Sequence, residues 1–389
     1  MMKTNKARTA ALFIAAILSA VSLTACSGSS SSNDDTVGNT NSTAAPAAES
    51  KAETAAQTEE EAATAELKHF SIGYLPSTGH LLYFVAKEEG FFEAEGLDAE
   101  LQLFDSNNNM LSSLESGKLD AGALGSTEVV SYLQQGYDLT QIGGIMTEGH
   151  ALLVKPEIVE GVDPEDYSLE LLRGKRIAVV PLGTQDIVWR IGFREAGLDV
   201  GTDVEFVDVE SGTAAFAALN NADIDGALVF TPFRAQGVND GYVILDYSGE
   251  IEGFEKHPCC RNIAETEKIN ADPDAYKAYL KALIQAYKFY QENQDETVED
   301  IVKYVSVDPD IIRQETYGEH ISSYPDPDKK TIVEWKDHMV DLGFFEDFDI
   351  ESHVNTELYK SALDEVISEH PEDVDFYADM VTHYEEYDS

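Results

Sequence analysis

The sequence predicts an α/β fold of two doubly wound α/β lobes, joined by a two-crossing hinge and followed by a helical C-terminal tail. The main observation is an internal repeat, because the segment Met110–Val130 has the same pattern as the segment Ala215–Phe233. Each contains a short apolar helix pattern, an acidic turn residue and a run of small apolar residues that ends at Ser126 or Thr231. Such runs, bounded by turn residues, are typical of strands that are buried on both faces.

The repeat extends outward from these two segments. Residues 69–105 and 175–210 both have the order strand, polar loop, amphipathic helix, Gly-Leu-Asp turn and strand. We interpret this as a duplicated βαβαβ unit, one in each lobe. The alternative is convergence, because any doubly wound domain repeats strands and helices at this period.

The first lobe is predicted to comprise residues 68–154 and 251–389. Its strands are short apolar runs, and each of its helices begins at polar residues and ends before or at a glycine or polar turn. The predicted strands are 70–75, 99–104, 121–124 and 139–145, and the predicted helices begin near 80, 107 and 127. Residues 151–155 are predicted to be the first crossing into the second lobe.

The second lobe is predicted to comprise residues 155–250, and the chain returns to the first lobe through residues 247–262. Its predicted strands are 176–180, 204–209, 227–230 and 242–245, with helices at 187–196 and 214–219 and a short helix through 235. The tail shows helical periodicity at 275–290, 296–304, 309–317, 329–342 and 358–370, and we expect it to pack on the first lobe.

Residues 1–25 have the features of a secretory signal peptide. Three basic residues precede an apolar run at 10–21, and Leu23-Thr24-Ala25 directly precedes Cys26. This motif resembles the bacterial lipoprotein signal, in which Cys26 becomes the lipidated N-terminus. A plain transmembrane anchor is the alternative, but the run is shorter than the roughly 20 residues that a membrane span needs.

Residues 26–67 are predicted to be a disordered tether, because Ser, Asn, Thr, Ala and Glu dominate and large apolar residues are rare. The whole chain carries 26 basic and 73 acidic residues, a net charge of −47. This excess of acid argues against binding to nucleic acid or to anionic lipid headgroups. We therefore expect a monomeric extracytoplasmic protein that is held at the membrane through its lipid anchor alone.

Ligands of open α/β sheets bind at the carboxyl ends of the strands. The hydroxyls that follow two of these strands are expected to cap the next helix and to leave backbone N–H groups free for a ligand. For each residue alone, a simple helix cap is the alternative. The predicted polar ligand contacts are Ser77, Thr78, His80, Ser126, Thr127, Thr147, His150, Thr184, Gln185, Asp186 and Thr231. Tyr83 and Trp189 are predicted to offer aromatic faces to a flat ligand.

Cys259 and Cys260 are adjacent, and they are the only cysteines besides Cys26. They form a vicinal disulfide, two free thiols or a soft metal site with His257, and the sequence leaves all three open. Arg261 and a protonated His257 would lower the pKa of a neighbouring thiol. We predict that both cysteines contact the ligand; the alternative is a pair of small buried apolar side chains.

The chain contains three distinctive motifs: Gly-Tyr-Leu-Pro at 73–76, Glu-Gly-Phe-Phe-Glu-Ala-Glu-Gly-Leu at 89–97, and Gly-Lys-Leu-Asp at 117–120 followed by Gly-Ser-Thr. These motifs resemble those of the nitrate/sulfonate/taurine and thiamine-pyrimidine-precursor binding proteins. The resemblance covers residues 69–289. It implies a type II periplasmic-binding fold and a solute-capturing subunit that works with the permease and the ATPase of an ABC importer. It also implies ligand contacts in the loops at 77–81, 125–128, 183–186 and 230–232, and no cofactor.

An enzyme is the alternative, because the same superfamily includes a pyrimidine-synthesising enzyme with a cysteine-rich motif similar to residues 257–260. That enzyme carries a lysine-bound pyridoxal phosphate, whereas the loop at 76–81 contains no lysine here. No nucleophile, metalloprotease or phosphate-loop motif is present either. We therefore predict a binding protein and not an enzyme. A metal- or redox-responsive binding protein that uses His257, Cys259 and Cys260 remains a further alternative.

The sequence leaves two ligand classes open. No Lys or Arg occurs in the loops at 76–81, 125–128, 146–150 or 181–187. A sulfonate- or nitrate-type anion could still be held by helix N-termini. A pyrimidine- or thiamine-precursor-like heterocycle fits the predicted hydroxyl and aromatic lining somewhat better.

Overall fold

The structure, a computed structural model, describes residues 66–389. The predicted signal peptide, Cys26 and nearly all of the predicted tether lie outside the described residues. Within the described part of the chain, no helix combines the length and the apolar character that crossing a bilayer requires.

The described chain contains eleven strands and fourteen α-helices. The strands are β1 (Lys68–Tyr74), β2 (Leu97–Leu103), β3 (Ala121–Gly125), β4 (Leu139–Glu148), β5 (His150–Val154), β6 (Arg176–Val179), β7 (Glu205–Asp208), β8 (Gly226–Phe230), β9 (Val243–Tyr247), β10 (Pro258–Glu265) and β11 (Ile321–Ser322). The helices are α1 (Leu81–Glu88), α2 (Phe91–Ala94), α3 (Asn107–Glu115), α4 (Ser126–Gln134), α5 (Thr184–Glu195), α6 (Gly212–Ala218), α7 (Phe233–Asn239), α8 (Thr266–Ala271), α9 (Pro273–Glu292), α10 (Gln294–Val302), α11 (Pro309–Tyr317), α12 (Lys329–Asp341), α13 (Thr356–Glu369) and α14 (Val374–Tyr387).

The strands form two sheets whose shared order reflects the internal repeat. The first sheet has the order β11-β4-β10-β3-β1-β2, and the second has the order β7-β6-β8-β5-β9. In each sheet a central strand, β1 or β6, pairs in parallel with two neighbours that come from the same lobe. The duplicated βαβαβ unit is therefore seen in both sheets.

Each sheet also contains one antiparallel strand from a crossing segment. β10 returns from the second lobe and inserts between β3 and β4, while β5 leaves the first lobe and inserts between β8 and β9. The predicted end of the first lobe at residue 154 is thus wrong, because the backbone of His150–Val154 is hydrogen-bonded within the second sheet. The change of sheet occurs at Gly149, whose φ of 86° favours glycine.

The C-terminal helices pack mainly on the first sheet, as expected. α9 and α13 cover one face, where Tyr279 and Leu363 join the core around Phe70. α12 covers the other face through Trp335. The elements α8, β11 and α14 were not predicted from the sequence, and neither was the contact of α11 with α7 of the second lobe.

Candidate functional site

A cleft of about 360 Å³ lies at the carboxyl ends of the central strands of both sheets. The loops after β1, β6 and β7, the last residue of β8, the first turns of α3 and α4, and the start of β10 contribute to its walls. Seven of the predicted site residues line it: Ser77, His80, His150, Thr184, Gln185, Cys259 and Cys260.

The remaining predicted site residues lie near the cleft but do not line it, and most of them make internal hydrogen bonds. The hydroxyls of Thr78 and Thr231 bond to each other between the two lobes. Thr127 Oγ1 accepts a hydrogen bond from Trp335 Nε1 at 3.1 Å. These threonines therefore hold elements together rather than face a ligand.

Thr147 and Asp186 also serve the protein itself. Thr147 Oγ1 donates to the carbonyl of Ser322 at 3.3 Å. Asp186 accepts hydrogen bonds from Leu182 N at 2.9 Å and from Arg190 Nε at 2.7 Å. Asp186 thereby fixes the loop before α5, in which Leu182 has a φ of 58°.

The two predicted aromatic contacts are core residues. Tyr83 and Trp189 are both fully buried. Tyr83 donates its hydroxyl hydrogen bond to Asn262 Oδ1, and Trp189 belongs to the apolar core. The helical positions were right, but the apolar face of each helix turns these rings away from the cleft. The aromatic residues that do line it are Tyr132, Tyr137 and Phe230.

The helix starts at the cleft differ from the predicted caps. Gly125 and Gly183 occupy the N-cap positions of α4 and α5, and Ser126 and Thr184 are the first helical residues. Neither N-terminus has a side-chain cap. The hydroxyl of Ser126 is buried without a hydrogen-bond partner.

His80 is oriented by the strand that precedes it. Its Nδ1 accepts a hydrogen bond from Leu75 N at 3.1 Å, so Nε2 carries the proton in the neutral ring. Ser77 Oγ accepts from Gly79 N at 3.1 Å and shapes the same turn. His80 hydrogen-bonds Cys260 and is one of the groups that lower the pKa of its thiol.

Cys259 and Cys260 are two free thiols whose sulfur atoms lie 3.3 Å apart. Successive side chains of a regular strand point to opposite faces, but register shifts on both sides of Cys260 distort β10 here. The pKa of Cys260 is lowered because its sulfur accepts hydrogen bonds from Cys259 and from His80. Burial, followed by the hydrogen bond it donates to Cys260, raises the pKa of Cys259. Cys260 is therefore the more acidic thiol.

The buried imidazoles of His150 and His257 are neutral. Burial lowers the pKa of His257 to about 4, and it lowers the pKa of His150 as well. The expectation that a protonated His257 activates a thiol is therefore wrong. His150 Nε2, not a nitrogen of His257, lies 3.5 Å from Cys259 Sγ. The cysteines and His257 do not form a compact three-donor group in the described chain.

Glu128 and Asn107 line the cleft but were not named among the predicted ligand contacts, although Glu128 lies in the loop at 125–128 that the family resemblance implied. Glu128 Oε1 accepts from Asn107 Nδ2 at 2.7 Å, while Glu128 Oε2 and Asn107 Oδ1 have no protein partner. Burial raises the pKa of Glu128 to about 7. A Cβ at Gly125 would stand 2.1 Å from Glu128 Oε2, so a larger residue there would displace the Glu128 carboxyl group. A signal was available, because Glu128 follows Ser126-Thr127 in the first turn of a helix after a buried strand.

The first turn of α3 contributes a second polar wall that was also missed. Tyr132 donates its hydroxyl hydrogen bond to Asn108 Oδ1 at 2.7 Å. The run Asn107-Asn108-Asn109 was interpreted only as a helix cap, whereas Ser106 is the N-cap and accepts from Asn109 N at 3.4 Å.

The lining is acidic. Four lining residues carry carboxyl groups: Asp105, Glu115, Glu128 and Glu210. No Lys or Arg of the described chain lines the cleft. Arg234 and Arg261, the nearest cations by sequence, are buried in ion pairs with Glu315 and Asp328.

Known proteins with similar sequences or folds fit this architecture. The taurine-binding periplasmic protein of Escherichia coli is 29% identical over 214 residues, which are 54% of this chain and 63% of that protein. The 4-amino-5-hydroxymethyl-2-methylpyrimidine phosphate synthase of Schizosaccharomyces pombe is 23% identical over 54% of this chain and 65% of its own length. The chain thus spans less than two thirds of the length of either relative.

Among solved structures, the periplasmic nitrate-binding protein NrtA from Synechocystis PCC 6803 superposes with a TM-score of 0.67 at 17% identity, over 77% of this chain and 89% of that one. This likeness confirms the predicted periplasmic-binding fold. Residues 63–306 match the model of the NMT1-like family. This match confirms the resemblance expected from the sequence motifs, and the chain belongs to the NMT1-like family.

Proposed function

We propose that the protein is the extracytoplasmic solute-binding lipoprotein of an ABC importer, and that it captures a small neutral or cationic molecule rich in N–H groups. An aminopyrimidine- or thiamine-precursor-like heterocycle has this chemistry. The observation that carries the proposal is the acidic, cation-free lining of the cleft.

The charge of the lining supports the heterocycle over the anion, the two ligand classes that the sequence left open. A sulfonate or nitrate would enter a cleft with four carboxylic acids and no Lys or Arg from the described chain. The carboxylates of the cleft repel an anion, and the net charge of −47 adds to this repulsion at long range. The same negative charges attract a cationic ligand.

The open hydrogen-bond acceptors support the same ligand class. Asn107 Oδ1 and Glu128 Oε2 accept no hydrogen bond from the protein. Buried acceptors need donors, and a ring or amino N–H supplies them, whereas the oxygens of a sulfonate cannot. Tyr132, Tyr137 and Phe230 offer ring faces to a flat or cationic ligand.

The relatives and the sequence motifs support the transport role. One relative is named as a taurine-binding periplasmic protein and a structural neighbour as a nitrate-binding one. We infer that this chain likewise delivers its ligand to a permease and its ATPase, as a monomer tethered through Cys26. The cleft residues proposed to contact the ligand are Ser77, His80, Asn107, Glu128, His150, Thr184, Gln185, Cys259 and Cys260.

A thermal-shift screen tests the ligand class, because a ligand that binds only the folded state raises the melting temperature by mass action. Aminopyrimidines and other neutral or cationic heterocycles are compared with taurine, methanesulfonate and nitrate. We expect stabilisation by a member of the first group, and a loss of that stabilisation in Asn107→Ala. Stabilisation by methanesulfonate or nitrate alone would overturn the ligand class.

A second measurement separates binding from catalysis. The protein is incubated with the stabilising compound and denatured, and the released small molecules are identified by mass spectrometry. A binding protein returns the compound unchanged. Conversion of the compound, or of histidine and pyridoxal phosphate, would favour the enzyme instead.

A further inference from the structure

A cluster of buried acids lies on the far side of β10, away from the cleft. Asp326 and Asp328 come from the loop before α12, and His383 and Asp388 come from the end of the chain. One ligand atom each from Asp326, Asp328 and His383 lies within 4.8 Å of the others. The exposed fractions of Asp326, Asp328 and Asp388 are 0%, 5% and 2%, so solvent does not compensate these charges.

The protein leaves polar atoms of this cluster without partners. Asp326 Oδ2 and Asp388 Oδ2 are buried and accept no hydrogen bond from a protein donor, although the two carboxyl groups lie within hydrogen-bonding distance of each other. The hydroxyl of Tyr359 beside them is also fully buried and unpartnered. Unpartnered buried carboxylate oxygens require either a proton or a cation between them.

The ionised acids of the cluster and their paired cation leave a net charge of about −2. When ionised, Asp326, Asp328 and Asp388 bring three negative charges, and among the described residues the one Lys or Arg paired with them is Arg261, whose Nη2 lies 3.3 Å from Asp328 Oδ2. One divalent cation would bring the buried charge to zero. A set of carboxylate oxygens and one imidazole nitrogen suits Mn²⁺ or Zn²⁺.

The position of His383 suits a metal ligand. Its Nε2 contacts Asp328 Oδ1 directly and lies 3.9 Å from Asp326 Oδ1. The ring stacks on Tyr387, with ring centroids 4.4 Å apart, and this contact fixes its orientation. Its side chain is 30% exposed, which gives an ion a route from solvent.

We propose that Asp326, Asp328 and His383 bind one divalent transition-metal ion, Mn²⁺ or Zn²⁺, with Asp388 beside Asp326, and that the ion ties α14 to the loop before α12. The backbone already prepares this arrangement, because Asp328 N donates to Asp326 Oδ1 at 3.0 Å and Lys329 N donates to Asp388 Oδ1 at 2.7 Å. The bound ion stabilises the end of the chain and, through Arg261, the strand that carries the two thiols.

The test uses the Cys259→Ser/Cys260→Ser protein as the parent, so that bound metal does not report on the thiols. The purified protein is stripped with a chelator, dialysed against Mn²⁺ or Zn²⁺, and analysed for bound metal and for melting temperature. We expect one equivalent per chain and a higher melting temperature. In His383→Ala the affinity should fall by at least about tenfold.

The chain provides a matched control. His370, Glu372 and Asp373 form a second His-acid group, but it is at the surface. His370→Ala should bind metal like the parent. The proposal is overturned if the parent binds no metal at one equivalent, or if His383→Ala binds as tightly as His370→Ala. It is also overturned if Asp326→Asn stabilises the protein as much as metal does, since the carboxyl groups would then share a proton.

Discussion

The carboxyl group of Glu128 should make the stability of the protein fall as the pH rises. Glu128 Oε1 accepts from Asn107 Nδ2, but Oε2 has no partner, and burial raises the pKa of the group to about 7 from the model-peptide value of 4.5. The substitution Glu128→Gln keeps the shape of the side chain and removes its titration.

The sign and size of the effect follow from proton linkage. A carboxyl group whose pKa is higher in the fold than in the unfolded chain stabilises the fold fully below about pH 4.5 and loses this stabilisation as the pH rises through 7. Between pH 5 and pH 8 the loss amounts to at most about 2.5 kcal/mol. It is an upper limit, because one side of Glu128 faces the open cleft.

The assay is urea unfolding at pH 5 and pH 8, followed by the fluorescence of the two buried tryptophans, Trp189 and Trp335. Other groups titrate in both proteins, so the informative quantity is the stability of Glu128→Gln minus that of the wild type. We expect this difference in the free energy of unfolding to be about 1–2.5 kcal/mol more positive at pH 8 than at pH 5, in favour of the variant. Glu115→Gln, in the same cleft but exposed, is the control and should show no such growth. An equal difference at both pH values would refute the reasoning.

Three other perturbations test the remaining features. Arg234→Ala leaves the buried Glu315 without its ion-pair partner and should lower the free energy of unfolding by about 3–5 kcal/mol in urea titrations, whereas the exposed Arg173→Ala should leave it nearly unchanged. Cys259→Ser/Cys260→Ser should weaken ligand binding in calorimetry more than it lowers the melting temperature; normal affinity with a lowered melting temperature would assign the thiols to packing. Cys26→Ala should move the protein from the membrane fraction to the soluble fraction, and unchanged fractionation would contradict the lipoprotein signal.

The sequence predicted the parallel part of both sheets well, because buried strands and the helices between them have strong local patterns. It did not predict which sheet β5 joins. An apolar run such as His150–Val154 has the same pattern whichever sheet supplies its hydrogen-bond partners, so long-range pairing decides. The contact of Arg234 with Glu315 was invisible for the same reason, since 81 residues separate them.

The site was predicted in part. The polar loops at the strand ends were found because the fold class dictates where they meet. Tyr83 and Trp189 were misplaced because the first turns of α1 and α5 are buried on nearly all sides, so helical spacing does not separate the cleft from the core there. Glu128 and Asn107 were missed because one charged and one amide side chain in the first turn of a helix are ordinary features of a solvated surface.

β10 connects the cleft, the buried carboxylate cluster and the core of the first lobe. Cys259 and Cys260 face the cleft, Arg261 faces the carboxylate cluster, and Asn262 faces the core. Arg261 pairs with Asp328, and Asn262 Oδ1 accepts from both Tyr83 and Tyr279. β10 is also the crossing strand between the lobes, and its backbone is hydrogen-bonded to β3 on one side and to β4 on the other. We therefore expect the backbone at the two thiols to move less on ligand binding than the loops of the opposite wall.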